Sequence, residues 1–147
     1  MRKYAMAPLG ALLFAALLAT GCKPTVEITG KERETILKTA DPMTDNLMTA
    51  FNAGDYATYS RDFNEPLKKA LNDKKFKETR TMITGKLGVY KSRVLNTVVR
   101  KGKYDIVIYS AVFEKERGVQ VRVVLEKAKD VYKLAGLWFN SPKLRAK

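Results

Sequence analysis

Between Tyr104 and Asn140 the chain reads YDIVIYSAVFEK, GVQVRVVLEKA and VYKLAGLWFN, three apolar runs parted by short charged turns. Val119, Val121, Val123 and Leu125 alternate with Gln120, Arg122 and Glu126, the period-two pattern of a strand with one buried face. β-Branched and aromatic residues dominate all three runs, and Glu116-Arg117-Gly118 and Lys129-Asp130 supply the turns. A meander of this kind cannot bury its apolar face alone, so the segments before it must cover it.

Those segments carry the helical period. Ile36, Ala40, Met43, Leu47 and Phe51 recur at three- and four-residue steps. Pro42 interrupts the stripe, so a main helix is expected from Pro42 to Ala53 with a looser turn before it, stopped by Gly54. Asp55 caps a short helix bearing Tyr56, Tyr59 and Phe63, and Asn64 to Asn72 makes a further turn or helix. A third helix runs from Asp73 to Lys86, with Phe76, Met82, Ile83 and Leu87 on its inner stripe. Val89 to Arg100 forms a first strand, joined to the meander by Lys101-Gly102-Lys103. Helices followed by four antiparallel strands make an α+β domain.

The N-terminus carries an address. Arg2 and Lys3 precede an apolar run from Ala5 to Leu18, and Ala19-Thr20-Gly21-Cys22 follows, the three-part layout of an export signal. The run is short for a membrane span of ~20 residues. Cys22, the single cysteine, directly after Ala-Thr-Gly resembles the lipobox of prokaryotic lipoproteins. That resemblance implies lipidation of Cys22 and removal of residues 1–21. Residues 22–30 then form the lipidated cysteine and its tether, and residues 31–147 a single domain. The alternative is an ordinary secretory signal with an incidental cysteine. The expected location is exported and lipid-anchored to the cell membrane or outer membrane, with the domain outside the cytoplasm.

Composition narrows the partners. The chain holds 28 basic residues against 15 acidic, and +11 remains once Arg2 and Lys3 leave with the signal. Such a surface attracts anionic lipid, wall polymer or nucleic acid. The basic residues are scattered, however, without the interleaved aromatics of a nucleic-acid-binding signature, so no nucleic acid is expected.

Ala50-Phe51-Asn52-Ala53-Gly54-Asp55-Tyr56, followed by Tyr59-Ser60-Arg61-Asp62-Phe63 and ending in Leu134-Ala135-Gly136-Leu137-Trp138-Phe139, resembles the nuclear transport factor 2-like superfamily. More closely it resembles a prokaryotic family of uncharacterised lipoprotein domains of that fold. The resemblance implies a curved, cystatin-like sheet wrapped round the helices as a cone, often with a pocket at its mouth, and no stated activity. Enzymes of that fold similar to ketosteroid isomerase use carboxylates and tyrosines within the cone. The corresponding strand residues here are Asp105, Tyr109 and Glu114, with Asp105 and Glu114 expected as solvated charges at strand ends.

The sequence has no histidine, which removes histidine-based triads and histidine-ligated metal sites. It has no glycine-rich phosphate loop and no paired-cysteine metal motif, so no cofactor or metal is expected. Aromatics are the better clue. Tyr59, Phe63, Tyr109, Phe113, Gly136 and Trp138 are the expected pocket for a small apolar or aromatic ligand, Gly136 leaving space opposite Val121; the competing reading is plain core packing. Counting sides of the strands places Val107, Tyr109, Ala111 and Phe113 inward with Leu134, Gly136 and Trp138. Ile106, Ile108, Val112, Val124, Ala135, Leu137 and Phe139 then point outward. An apolar outer face predicts a homodimer, unless Val26 to Leu37 folds back to cover it. The function expected is a lipid-anchored binding or accessory module without catalysis. A ketosteroid-isomerase-like enzyme and an envelope docking protein are the alternatives.

Overall fold

The apolar stripe of Ile36, Ala40, Leu47 and Phe51 lies along one continuous helix, α1 (Gly30–Ala53), in the computed structural model, which describes residues 23–146. The signal, Cys22 with its expected lipidation, and Lys147 lie outside the described residues. Pro42 sits inside α1 rather than starting it. Pro42 and Lys38, whose carbonyl the proline leaves unpaired, are both on the exposed side, where water can satisfy that carbonyl. Buried Ile36 and Ala40 before it, and Thr44 and Leu47 after it, hold both halves on the same core.

Three short-range caps start the next helices. Asp55, Asn64 and Asn72 accept from the backbone N–H groups of Thr58, Leu67 and Lys75 and open α2 (Tyr56–Tyr59), α3 (Glu65–Ala70) and α4 (Asp73–Leu87). Phe76, Ile83 and Leu87 form the inner stripe of α4. Met82, expected beside them, is 51% exposed, because one step of about 100° from Ile83 carries it off the stripe.

The sheet has five strands, not four: β1 (Thr25–Glu27), β2 (Tyr90–Lys101), β3 (Tyr104–Phe113), β4 (Arg117–Ala128) and β5 (Val131–Asn140). They lie in chain order and every neighbouring pair is antiparallel. The extra strand comes from the segment expected as tether. Thr25 pairs with Lys101 and Glu27 with Val99, and Ile28 beyond them is buried with its N–H on the Val98 carbonyl at 2.8 Å. Three residues give too little periodicity to announce a strand; the free edge of β2 recruits them. Arg117-Gly118, expected in a turn, begins β4, with Gly118 at φ 72° taking up a register shift against Ala111 and Val112. Further shifts fall in β2 at Tyr90/Ser92 and Leu95/Thr97 and between β4 and β5 at Val124/Leu125. Each such bulge bends its strand and adds twist. The helices pack on the face made by Val98, Val107, Tyr109, Ala111, Phe113, Val119, Val121, Val123 and Leu125, all buried. A last helical turn, α5 (Pro142–Arg145), follows β5.

Candidate functional site

The expected pocket divides between the two faces of the sheet. Tyr59, Phe63, Tyr109 and Phe113 are at most 2% exposed and belong to the core. Tyr59 lies with its ring 4.5 Å from that of Phe76, 5.2 Å from Phe63 and 6.1 Å from Phe51, centroid to centroid. Phe113 meets Tyr90 and Phe139 edge-on at 5.7 and 6.3 Å. These rings fill the inside of the sheet with tilted and T-shaped contacts, the arrangement that aromatic quadrupoles favour.

Gly136 and Trp138 are on the other side. Leu125 faces Leu134 and Val124 faces Gly136, so Ala135 is one residue too many for the ladder. That bulge reverses every side chain after it. Leu137 and Phe139, expected outward, pair with Val123 and Val121 and join the core, while Trp138, expected inward, pairs with Arg122 and is 56% exposed. Gly136 stands opposite Val124, not Val121, and its vacancy is occupied: a Cβ there would lie 2.4 Å from the Trp138 ring. The indole therefore lies over the bare backbone of Gly136.

Around it runs an apolar row across four strands, Val99, Ile106, Val124 and Gly136 in register. A groove of about 630 Å³ crosses this outer face, lined by Lys101, Tyr104, Ile106, Arg122, Val124 and Trp138 among others. The segment Val26 to Leu37 does not close it, since β1 extends the sheet edge and Ile36 packs into the core.

A second cleft lies between α1 and β2. Tyr109 donates its hydroxyl to Asp41 Oδ1 at 2.8 Å, and the Arg93 guanidinium lies 4.9 Å from the centre of the Tyr109 ring. Arg93 also bonds Asp45 and, at 3.2 Å, the Asp41 carbonyl. Burial, with Asp41 beside it, pushes the Tyr109 phenol above its ordinary range. Sequence reading missed this cluster because Asp41 and Asp45 look like the solvent side of a helix, and Arg93 is 52 residues from Asp41. One guanidinium serves both carboxylates, and the cluster joins α1 to β2.

Asp105, expected as a solvated strand-end charge, is 4% exposed, bound by Arg100 Nε at 2.6 Å and the Tyr132 hydroxyl at 3.0 Å. It is buried because its place in β3 faces inward with Val107 and Tyr109. The Val89 N–H, then Lys91, hold Glu114 below the usual carboxylate range, and Lys103 with Asn64 do the same for Glu126. A general base working near neutrality needs the opposite shift. Among the described residues no cluster of carboxylates or cysteine is arranged to hold a metal, and no helix is long and apolar enough to cross a membrane.

A family model described as "Protein of unknown function (DUF3887)" matches residues 44–137. The chain belongs to this family. The matched stretch begins within α1 and ends in β5, so it takes in Asn52-Ala53-Gly54-Asp55-Tyr56 and the Ala135 bulge but stops one residue short of Trp138. A crystal structure described as an NTF2-like protein of unknown function from Cytophaga hutchinsonii is similar at 15% identity and a TM-score of 0.35. The likeness covers 69% of this chain and 90% of that one. At that score it carries no argument about ligand or activity; the α+β architecture stands on the element order itself. No curated protein matches the chain.

Proposed function

We propose that this DUF3887 domain is a lipid-anchored, extracytoplasmic binding module that works without catalysis through the outer face of its sheet. The observation that carries the reading is Trp138, more than half exposed and laid over Gly136 in a groove whose apolar floor of Ile106 and Val124 is flanked by Lys101 and Arg122. An aromatic presented this way offers a large, rigid contact area at low entropic cost to a small apolar or aromatic ligand. The filled core and the lowered carboxylates weigh against the enzyme reading. Cys22 after Ala-Thr-Gly supports the anchor.

Native mass spectrometry of protein purified from its host should find a retained small molecule on the wild type and none on Trp138→Ala of equal thermal stability. Identical occupancy in both would remove the outer face from the reading. A second occupant, another copy of the chain, is favoured by Ile106, Ile108 and Val112 lying on the same uncovered face.

A further inference from the structure

The strand order gathers three separated segments at one end of the sheet. Thr25 pairs with Lys101, so the chain enters beside the β2–β3 turn, Gly102-Lys103. Tyr104 pairs with Glu126 and Ala128 with Val131, which brings the β4–β5 turn, Lys129-Asp130, to that same end. The Lys23 side chain lies over Gly102, its Cδ 3.1 Å from where a Cβ would stand.

This end carries Lys23, Arg100, Lys101, Lys103, Lys127, Lys129 and Lys133 against Glu32, Asp105, Glu126 and Asp130, and Arg100 takes both Glu32 and Asp105. Glu126 is taken by Lys103 and by Asn64, whose amide donates to it at 2.9 Å. The other five lysines make no ion pair among the described residues. Lys129 occupies the turn at φ 57°, a conformation that glycine, asparagine or aspartate adopts more cheaply. Beside the lysines stand Tyr104 and Tyr132, with the Lys103 and Lys127 ammonium groups 5.2 and 5.9 Å from their ring centres. Val131, at the tip, is 57% exposed. Lysine, tyrosine and a protruding apolar residue together suit the boundary between headgroups and acyl chains.

We propose that this end of the sheet is the membrane-facing surface of the domain and binds anionic lipid headgroups, fixing how the module stands on its membrane. The inference rests on the anchoring of Cys22 proposed above. Only Lys23 and Pro24 separate that cysteine from β1. Two extended residues and the flanking bonds reach roughly 10 Å, about one Debye length at physiological salt, so the lysines lie inside the lipid surface potential. Near such a surface each adds roughly a fivefold gain in partitioning. The anchor and the basic end thus act as two signals on one side of the molecule, and the outer face with Trp138 is left lateral and open.

The test uses the full lipidated chain in vesicles of phosphatidylcholine alone and of phosphatidylcholine with an equal part of phosphatidylglycerol. Amide exchange over residues 101–104 and 126–133 should slow by roughly fivefold or more in the anionic vesicles. The difference should vanish in about 1 M salt and in the combined Lys23→Gln, Lys127→Gln, Lys129→Gln variant. A matched Lys115→Gln, Arg117→Gln, Lys143→Gln variant at the opposite end should keep it. Equal exchange in both vesicle types, or protection at residues 114–118 instead, overturns the orientation. Intact mass on the same preparation separates the two readings. An unmodified Cys22 with no vesicle attachment overturns the anchor and the orientation with it. A diacylated Cys22 with equal exchange overturns the orientation alone.

Discussion

Asn52 accepts from the Tyr90 N–H at 3.1 Å and donates to the Tyr90 carbonyl at 2.9 Å, fastening the end of α1 to the start of β2. Two residues on, Gly54 ends α1 at φ 75°, and Arg80 from α4 caps the same terminus through the Phe51 and Asn52 carbonyls, both at 2.7 Å. Gly54→Ala should lose about 1 kcal/mol or more, from the left-handed backbone and from a Cβ 3.3 Å from the Arg80 guanidinium carbon. Asp55→Ala, which removes the α2 cap, should lose about 1 kcal/mol. Either loss should appear as a fall in Tm of several degrees, and unchanged melting curves would remove the structural role. Tyr59 and Tyr109 give the pH prediction. Burial raises both phenols above the ordinary value of 10.0, so the unfolded chain releases those protons first as pH rises. Their contribution is complete below about pH 10 and declines above it. Phenolate absorbance should therefore show these two titrating only with cooperative unfolding.

At the scale of elements, β5 depends on one surplus residue. Phe63 bridges to Leu134 beside the bulge, with the Leu134 N–H on the Asp62 carbonyl and the Asn64 N–H on the Leu134 carbonyl, both at 2.8 Å. The strand is held from both sides where its register changes. Deleting Ala135 should leave Leu134 on Leu125 and Gly136 on Val124 as consecutive pairs and keep cooperative unfolding, whereas one residue inserted between Gly136 and Leu137 should throw Leu137 and Phe139 outward and Trp138 inward and abolish it, as followed by circular dichroism. Gly136→Ala is the milder probe. Its methyl meets the indole at 2.4 Å and must displace it, at a cost of about 1–3 kcal/mol. Since Trp138 is the single tryptophan, its emission reports the movement directly, and an unchanged spectrum would contradict the packing described.

For the whole molecule the first expectation is a mature chain that starts at a diacylated Cys22, read by intact mass of membrane-extracted protein. Cys22→Ser should be released or left unprocessed. The second concerns self-association through the outer face. Because Leu137 points into the core, it is no probe of that face; Ile108, paired with Thr97 and Arg122 in the outward register, is. Sedimentation of the soluble domain from Thr25 onward should show a dimer at tens of micromolar that Ile108→Lys dissociates. A monomer in both would end that reading and leave the face to a ligand.

The sequence alone determined what depends on neighbours along the chain. The stripe of α1, the caps at Asp55 and the turn at Gly54, and the alternation in β3 and β4 were all legible, because 3.6- and 2.0-residue periods need no partner to be seen. So was the α+β class. Tertiary structure decided whatever depends on pairing between distant segments. It recruited Thr25–Glu27 to an open strand edge and carried α1 straight through Pro42. It buried Asp105 against Arg100 and Tyr132, and set Arg93 between Asp41 and Tyr109. Above all it placed the bulge at Ala135: parity counted along β5 is right only until an extra residue enters, and which residue is extra is fixed by the register with β4. That one residue moved Trp138 from the core to the surface, and with it the candidate site from inside the sheet to its outer face.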